Sequence, residues 1–317
     1  MNYVGSGPYC YSNSLAMVLG TGAPDPSAIE VLTGSPFGVN LLRGSIPFFD
    51  PKGWDPSIGI DAALECLGWV CERSSGGTAT EAKENLLMAC RNGPVLTGPM
   101  EIGLLLYHPG SGRAIGSDHY VVVLAADHER VQMHDSHGYP YATLPIDAFL
   151  AAWKADSIEY SKSPFSMRFN FREVRRTTVD QALLSSMPAA VRWLTVESDS
   201  NDLAGADALN RLAEQVDLGL ERSQHEHLVW FAVRVGSRRL ADAGRWLRVI
   251  GLARPSDIAD RQAQLLGRVQ YALVAHDSAG ASEMLRQLAP CYGELRMELN
   301  RRVHGSKVVG SYDSSVS

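Results

Sequence analysis

Cys10 stands in the run Gly7-Pro8-Tyr9-Cys10-Tyr11-Ser12-Asn13-Ser14-Leu15-Ala16-Met17-Val18-Leu19-Gly20. A Gly-Pro turn there delivers a cysteine to the first turn of a short amphipathic helix, which Leu15, Met17, Val18 and Leu19 anchor in a core. Helix N-termini carry unpaired N–H groups and about half a positive charge. Both favour thiolate over thiol, so the position predicts a lowered cysteine pKa. A thiolate so placed attacks carbonyl carbon while a neighbouring N–H receives the developing oxyanion. The competing reading is a small buried hydrophobe.

A nucleophilic cysteine needs a base, and the base needs an acceptor that orients it. His119–Ala125 and Arg130–Asp135 read as two strands joined by Ala126-Asp127-His128-Glu129. A turn centred on residue 127 sets His119 opposite Asp135, on one face and about 5 Å apart at Cβ. A turn displaced by one residue pairs His119 with His134 or Ser136 instead. His128 falls in the turn, His134 on the opposite face from Asp135, and His137 just past the strand, at the rim of a site. His108 precedes Pro109 in a Gly-rich loop. His225 and His227, two apart on a helix, face apart and make a poor metal pair, while His276 and His304 fall at helix ends.

The elements that must position these groups divide the chain. Residues 1–174 are rich in Gly and Pro and mix short helices with strands. Asp55 and Pro56 open a helix through Leu67 as N-cap and first residue, and a second spans Thr80–Arg91 before Gly93-Pro94. Residues 175–304 are poor in Pro, with apolar residues recurring at three and four. Helices are expected near 178–187, 201–217, 222–248, 256–277 and 280–302, then a disordered tail over 305–317. The expected fold is therefore α+β, with a Cys-bearing helix and a His/Asp-bearing antiparallel sheet, followed by an all-helical domain.

The 317 residues carry a net charge of −6, with 45% hydrophobic and 20% charged residues. That balance weighs against nucleic-acid binding and offers no polybasic membrane patch. There is no apolar run long enough to span a bilayer and no signal-peptide pattern, so the cytoplasm is the expected location. With Cys10 so close to Met1, no inhibitory pro-segment is expected. The five cysteines form no Cys-x-x-Cys pair or Cys/His cluster, so neither zinc nor a disulfide framework is expected, and no directly bound cofactor.

The order Cys10 at a helix start, a Pro94-Val95 strand, Asp118-His119-Tyr120-Val121-Val122-Val123, then His134-Asp135-Ser136 resembles papain-like proteins of the bacteriocin-processing-peptidase type. Residues 3–170 are similar to the N-terminal domain of butirosin-type acyltransferases and to the amide-condensing enzymes of lincosamide biosynthesis. That resemblance implies Cys10 as nucleophile, His119 as base and Asp135 as orienting acid. It implies transfer of an acyl or aminoacyl group from the phosphopantetheine thioester of a carrier protein to an amine, in antibiotic biosynthesis. For the lincosamide type the donor would be a proline-like amino acid and the acceptor an amino sugar. A peptidase or thioesterase on the same triad is the alternative, and a catalytically inert binding module a third.

One departure bears on the choice. Papain-like peptidases place an oxyanion-hole glutamine about six residues before the cysteine; Val4 stands there, and no Gln precedes Cys10. The donors must be the Cys10 N–H and another group, with Asn2, Tyr9, Ser12 and Asn13 in local reach. Losing one such donor costs on the order of 10²–10³ in rate, which an activated thioester tolerates better than a peptide. Around the site, Phe37, Phe48, Phe49 and Trp54 in the stretch Gly34–Pro56 are candidates for an apolar wall. Arg113, in the loop before His119, is a candidate contact for a phosphate or carboxylate, and His137 is a further lining candidate. Arg234, Arg238, Arg239, Arg245 and Arg248 concentrate positive charge on one helix, extended by Arg301 and Arg302, as a docking surface for an acidic carrier protein.

Overall fold

The computed structural model describes residues 8–309, with side chains through 302. In chain order the elements are α1 (Cys10–Leu19), α2 (Pro26–Leu32), β1 (Asn40–Leu42), β2 (Ile46–Phe48), α3 (Pro56–Leu67), β3 (Trp69–Ser74), α4 (Ala79–Cys90), β4 (Val95–Glu101) and β5 (Asp118–Ala126). There follow β6 (Arg130–Asp135), β7 (Tyr139–Pro145), α5 (Ile146–Trp153), β8 (Met167–Glu173), α6 (Val179–Trp193), β9 (Leu203–Ala204) and α7 (Gly205–Leu218). The chain closes with α8 (Arg222–His227), α9 (Val233–Val249), α10 (Ala253–Val274) and α11 (Ser278–Val309). The protein is α+β, with antiparallel sheets and a helical C-terminal region.

The chain separates into two compact units, 1–29 with 67–176, and 30–66 with 177–317. In the first, a six-stranded sheet runs in the order β3-β8-β4-β5-β6-β7, every neighbour antiparallel. Helices α4 and α5 place Leu86, Ala89, Phe149 and Trp153 against Val95, Met100, Val121, Val123, Val131 and Met133, all buried. Thr78 caps α4 reciprocally with Glu81, as Ser/Thr-x-x-Glu sequences do. Helix α1 packs on β5. Tyr11 meets the Tyr120 ring edge-on, and the Ser14 hydroxyl donates to the Tyr120 carbonyl at 3.2 Å.

The second unit corrects the linear domain division expected from composition. Segment 30–66 belongs with the C-terminal helices in one compact unit. Val39, Leu41 and Phe49 are buried among Leu209, Leu212, Leu240, Leu266 and Leu288, and β1 pairs with β9 through Asn40↔Ala204 and Leu41↔Leu203. The Gln224 amide donates to the Ser45 carbonyl, and His227 Nε2 lies 2.8 Å from the Pro47 carbonyl. As expected, Asp55 caps α3, accepting the Ile58 N–H at 2.9 Å. The helix expected over 222–248 carries a π-helical turn at Leu228–Ala232 between α8 and α9. Helix α11 continues through Val309, so 305–309 are helical where a disordered tail was expected; 310–317 lie outside the described residues.

The basic patch on α9 is also corrected. Arg239 is buried: its Nε donates to Glu30 at 2.9 Å, and Nη1 donates to Asp50 at 2.8 Å and to the Phe49 carbonyl at 3.0 Å. Arg238 pairs with Asp242, Arg248 with Asp257 and Asp260, and Arg301 with Glu298. Much of the charge that the composition offers to a partner is thus neutralised within the helices. Among the described residues, no helix is long and apolar enough to cross a membrane.

Candidate active site

Asp135 and His119 meet as hydrogen-bonded partners, with His119 Nε2 2.8 Å from Asp135 Oδ1. Both are buried, at 1% and 0% exposure. The strand register that brings them together is shifted from the one expected. β5 and β6 pair as Val122↔His134 and Val123↔Met133. Carried forward, that register sets Asp135 across from Val121, two residues along from His119. An offset of two preserves the face, and the diagonal distance is within reach of an imidazole and a carboxylate. A one-residue error would have put the groups on opposite faces.

Cys10 opens α1, as the sequence predicts. Tyr9 before it is left-handed (φ 76°) and contributes no side-chain cap. The first intrahelical bond runs from the Asn13 N–H to the Tyr9 carbonyl at 2.9 Å, so the Cys10 N–H precedes the helical ladder. Cys10 and His119 are close enough to influence each other, each side chain favouring the charged form of its neighbour.

The expected lowering of the thiol pKa is not what this environment gives. Burial pushes the Cys10 thiol up, and nearby Asp118 adds to the rise; the His119 contact opposes both without cancelling them. For His119, burial acts downward, but the Asp135 charge and hydrogen bond, with Cys10, raise it from 6.5 to about 10. Asp135 resists burial because His119, His108 and the His137 N–H all stabilise its charge, holding it far below the usual carboxylate range. Cys10 and His119 therefore each hold a proton more tightly than the free groups do, and the site does not favour a free thiolate. Cys90, by contrast, has burial alone acting on it and rises to about 11.

Sequence reasoning missed two members of the cluster. Tyr107 O–H donates to Asp135 Oδ2 at 2.8 Å, and His108 Nε2 lies 2.7 Å from the same oxygen. Their only sequence signal was a Gly-rich loop preceding His119. His137 stands at the rim: its N–H donates to Asp135 Oδ1 at 2.7 Å, and its exposed ring lies 4.5 Å from that of His119. Donor atoms of His108, His119 and Asp135 all lie within 4.8 Å of one another, a spacing that a metal ion also requires. Here each Nε2 is in direct hydrogen-bond contact with the carboxylate.

The remaining site candidates divide. Both Asn13 Nδ2 hydrogens are taken, by the Pro8 carbonyl at 3.1 Å and the Tyr9 carbonyl at 2.9 Å, which removes Asn13 as an oxyanion donor. Ser12 and Tyr9 are buried beside Cys10, and Asn2 lies outside the described residues. Arg113 is exposed on the loop before β5. Trp54 belongs to the second unit, where its indole N–H donates to the Thr33 carbonyl at 2.9 Å and Arg239 lies over its ring. Phe37 and Phe49 are buried in that same unit.

Residues 199–300 match the YobF C-terminal domain family. The chain is also similar to a whole protein. It is 29% identical over 302 residues to the uncharacterized protein YobF of Bacillus subtilis (strain 168), covering 94% of this chain and 97% of that one. That similarity therefore spans both units, and the Cys10, His119 and Asp135 cluster lies in the unit N-terminal to the family match.

Proposed function

We propose that the first unit is a papain-like acyl-transfer domain in which Cys10 accepts an acyl group from a thioester and passes it to an amine. The observation that carries this reading is the continuous series Cys10–His119–Asp135, with Nε2 of the imidazole bound to a buried carboxylate at 2.8 Å. A carboxylate so placed fixes the ring tautomer and stabilises the imidazolium, as the general logic of nucleophile–base–orienter triads requires.

In the proposed cycle, the neutral form of His119 takes the Cys10 proton as sulfur attacks the thioester carbonyl. The tetrahedral intermediate collapses, its C–S bond to the pantetheine arm breaks, and His119 returns the proton to the leaving thiolate. The amine then attacks the acyl-Cys10 carbonyl, His119 accepts the amine proton, and the Cys10 C–S bond breaks to leave an amide and the thiol. The Cys10 N–H would receive the oxyanion in both halves. An activated donor suits a site lacking the peptidase glutamine, and a buried His119–Asp135 pair favours an acyl-enzyme that outlasts attack by water. A carrier protein would present the arm, and an antibiotic precursor amine would be the acceptor.

The test is intact-mass analysis of the protein with aminoacyl- and acyl-pantetheine thioesters. An adduct on Cys10, absent in Cys10→Ala and released faster by added amines than by water, is the expected result. Equal release with or without amine would assign hydrolysis, and no adduct with any thioester would remove the acyl-transfer reading.

A further inference from the structure

Asp135 receives at least four hydrogen bonds, more than orienting one histidine requires. Oδ1 accepts from His119 Nε2 at 2.8 Å and from the His137 N–H at 2.7 Å. Oδ2 accepts from Tyr107 O–H at 2.8 Å and from His108 Nε2 at 2.7 Å. Each oxygen thus holds two donors, and turning the carboxylate about Cβ–Cγ would break these bonds at once. Without the Tyr107 and His108 donors, a buried anionic oxygen would lose two charge-assisted bonds, a cost of about 1–3 kcal/mol or more. The group would then be free to rock about Cβ–Cγ, and the orientation of His119 bound to it would loosen.

The loop that supplies Tyr107 and His108 is built to stay in place. Buried Glu101, at the end of β4, accepts the Gly103 N–H at 3.0 Å, the Gly116 N–H at 2.8 Å and the Ser157 hydroxyl, clasping both ends of the loop. The loop also closes on itself through the Gly112 N–H to the Gly103 carbonyl, so tightly that a Cβ at Gly103 would lie 2.2 Å from the Arg113 carbonyl oxygen. The His108 ring is 4.7 Å from Tyr139, 5.8 Å from His119 and 6.0 Å from His137. A solvated loop histidine has none of these constraints; the His108 side chain is 14% exposed.

We propose that His108 is a positioning residue that, with Tyr107, fixes Asp135 so that its Oδ1 faces His119 and thereby tunes the reactivity of Cys10. The inference takes Cys10 as the reactive thiol, as the acyl-transfer reading does, but its test needs no acyl donor. The other polar groups facing the cluster are Asp118, held by the Tyr160 hydroxyl at 2.7 Å, Tyr139 and His137. His108 and Tyr107 draw charge from Asp135. Removing His108 leaves more of that charge on His119, which strengthens the imidazolium and lets the adjacent thiolate form at lower pH.

The experiment is the rate of Cys10 alkylation by iodoacetamide across pH on the full chain, read by peptide mapping so that other thiols do not contribute. Expected for His108→Ala is a midpoint lowered by about half to one pH unit with a maximal rate reduced several-fold as His119 loses its fixed orientation. His108→Gln, which retains an N–H toward Oδ2, returns both toward wild type. Should the alanine variant not fold by circular dichroism, Tyr107→Phe removes the other Oδ2 donor and is expected to shift the midpoint the same way. An unmoved profile in folded His108→Ala, or in Tyr107→Phe when that variant stands in for it, overturns the proposal. So does a glutamine variant that behaves like alanine. If thioesters fail to acylate Cys10 while these shifts hold, the acyl-transfer reading falls and the positioning role stands.

Discussion

His119 is the residue on which the proposed chemistry turns, because it is bound to the buried Asp135 carboxylate and influences Cys10. His119→Ala is expected to abolish acylation of Cys10, with Asp135→Asn reducing it less, by about 10²-fold, since the asparagine oxygen still accepts from Nε2. Single-turnover acylation undiminished in His119→Ala would remove the imidazole from the mechanism. The same pair sets a pH signature for stability. His119 is raised from 6.5 to about 10, so its contribution is complete below 6.5 and is lost as the pH climbs through about 10. Asp135 is depressed from 3.8, so its contribution is complete above 3.8 and is lost as the pH falls through the depressed value. The stability margin of wild type over Asp135→Asn is therefore widest between 3.8 and 6.5 and narrows on either side. Urea unfolding near pH 5 and near pH 10 checks this, and a margin independent of pH would contradict it.

At the scale of elements, the critical approach is β4 against β5. Gly98 has φ 148°, and a Cβ there would lie 2.5 Å from the Tyr120 ring and 2.8 Å from the His119 carbonyl oxygen. Gly98→Ala must therefore displace the strand that carries the proposed base. A loss of about 1–3 kcal/mol is expected by urea unfolding, with slower Cys10 alkylation. Stability and alkylation both equal to wild type would mean that the strands separate without cost. Glu101→Gln weakens the clasp one residue after Met100, which pairs with His119. Faster hydrogen exchange at the Gly103 and Gly116 amides is the expected outcome, with β6 unaffected. Uniform change across the sheet would instead mean that Glu101 stabilises the unit as a whole.

The molecule as a whole is organised by a chain that enters its second unit twice. Segment 30–66 completes the helical core with Val39, Leu41 and Phe49, and it supplies Glu30 and Asp50 to Arg239. A fragment of residues 1–174 would carry that segment without its partners and is expected to aggregate, whereas the full chain does not. A monodisperse, folded 1–174 fragment on gel filtration would show that the segment does not need the helices. Arg239→Leu strands Glu30 and Asp50 without their cation and is expected to destabilise the second unit by about 3–5 kcal/mol, measured by urea unfolding. A change under about 1 kcal/mol would mean that water or another donor replaces the guanidinium.

Local chemistry made much of this protein legible from its residues. The periodicity of α1, the Asp55 cap, and the alternation of β5 and β6 depend on neighbours a few residues apart, so Cys10 and the His119–Asp135 pair emerge from the chain alone. An even shift in strand register left that pair intact, because side chains repeat with a period of two. Contacts made across long stretches of chain were beyond such reading. His108 reaches Asp135 from a loop whose ends are held by Glu101. Burial reverses the expected fall in the Cys10 pKa, and Arg239 leaves the surface for Glu30 and Asp50. In each case desolvation and a distant partner outweigh local preference, and neither has a signature in the spacing of the residues concerned.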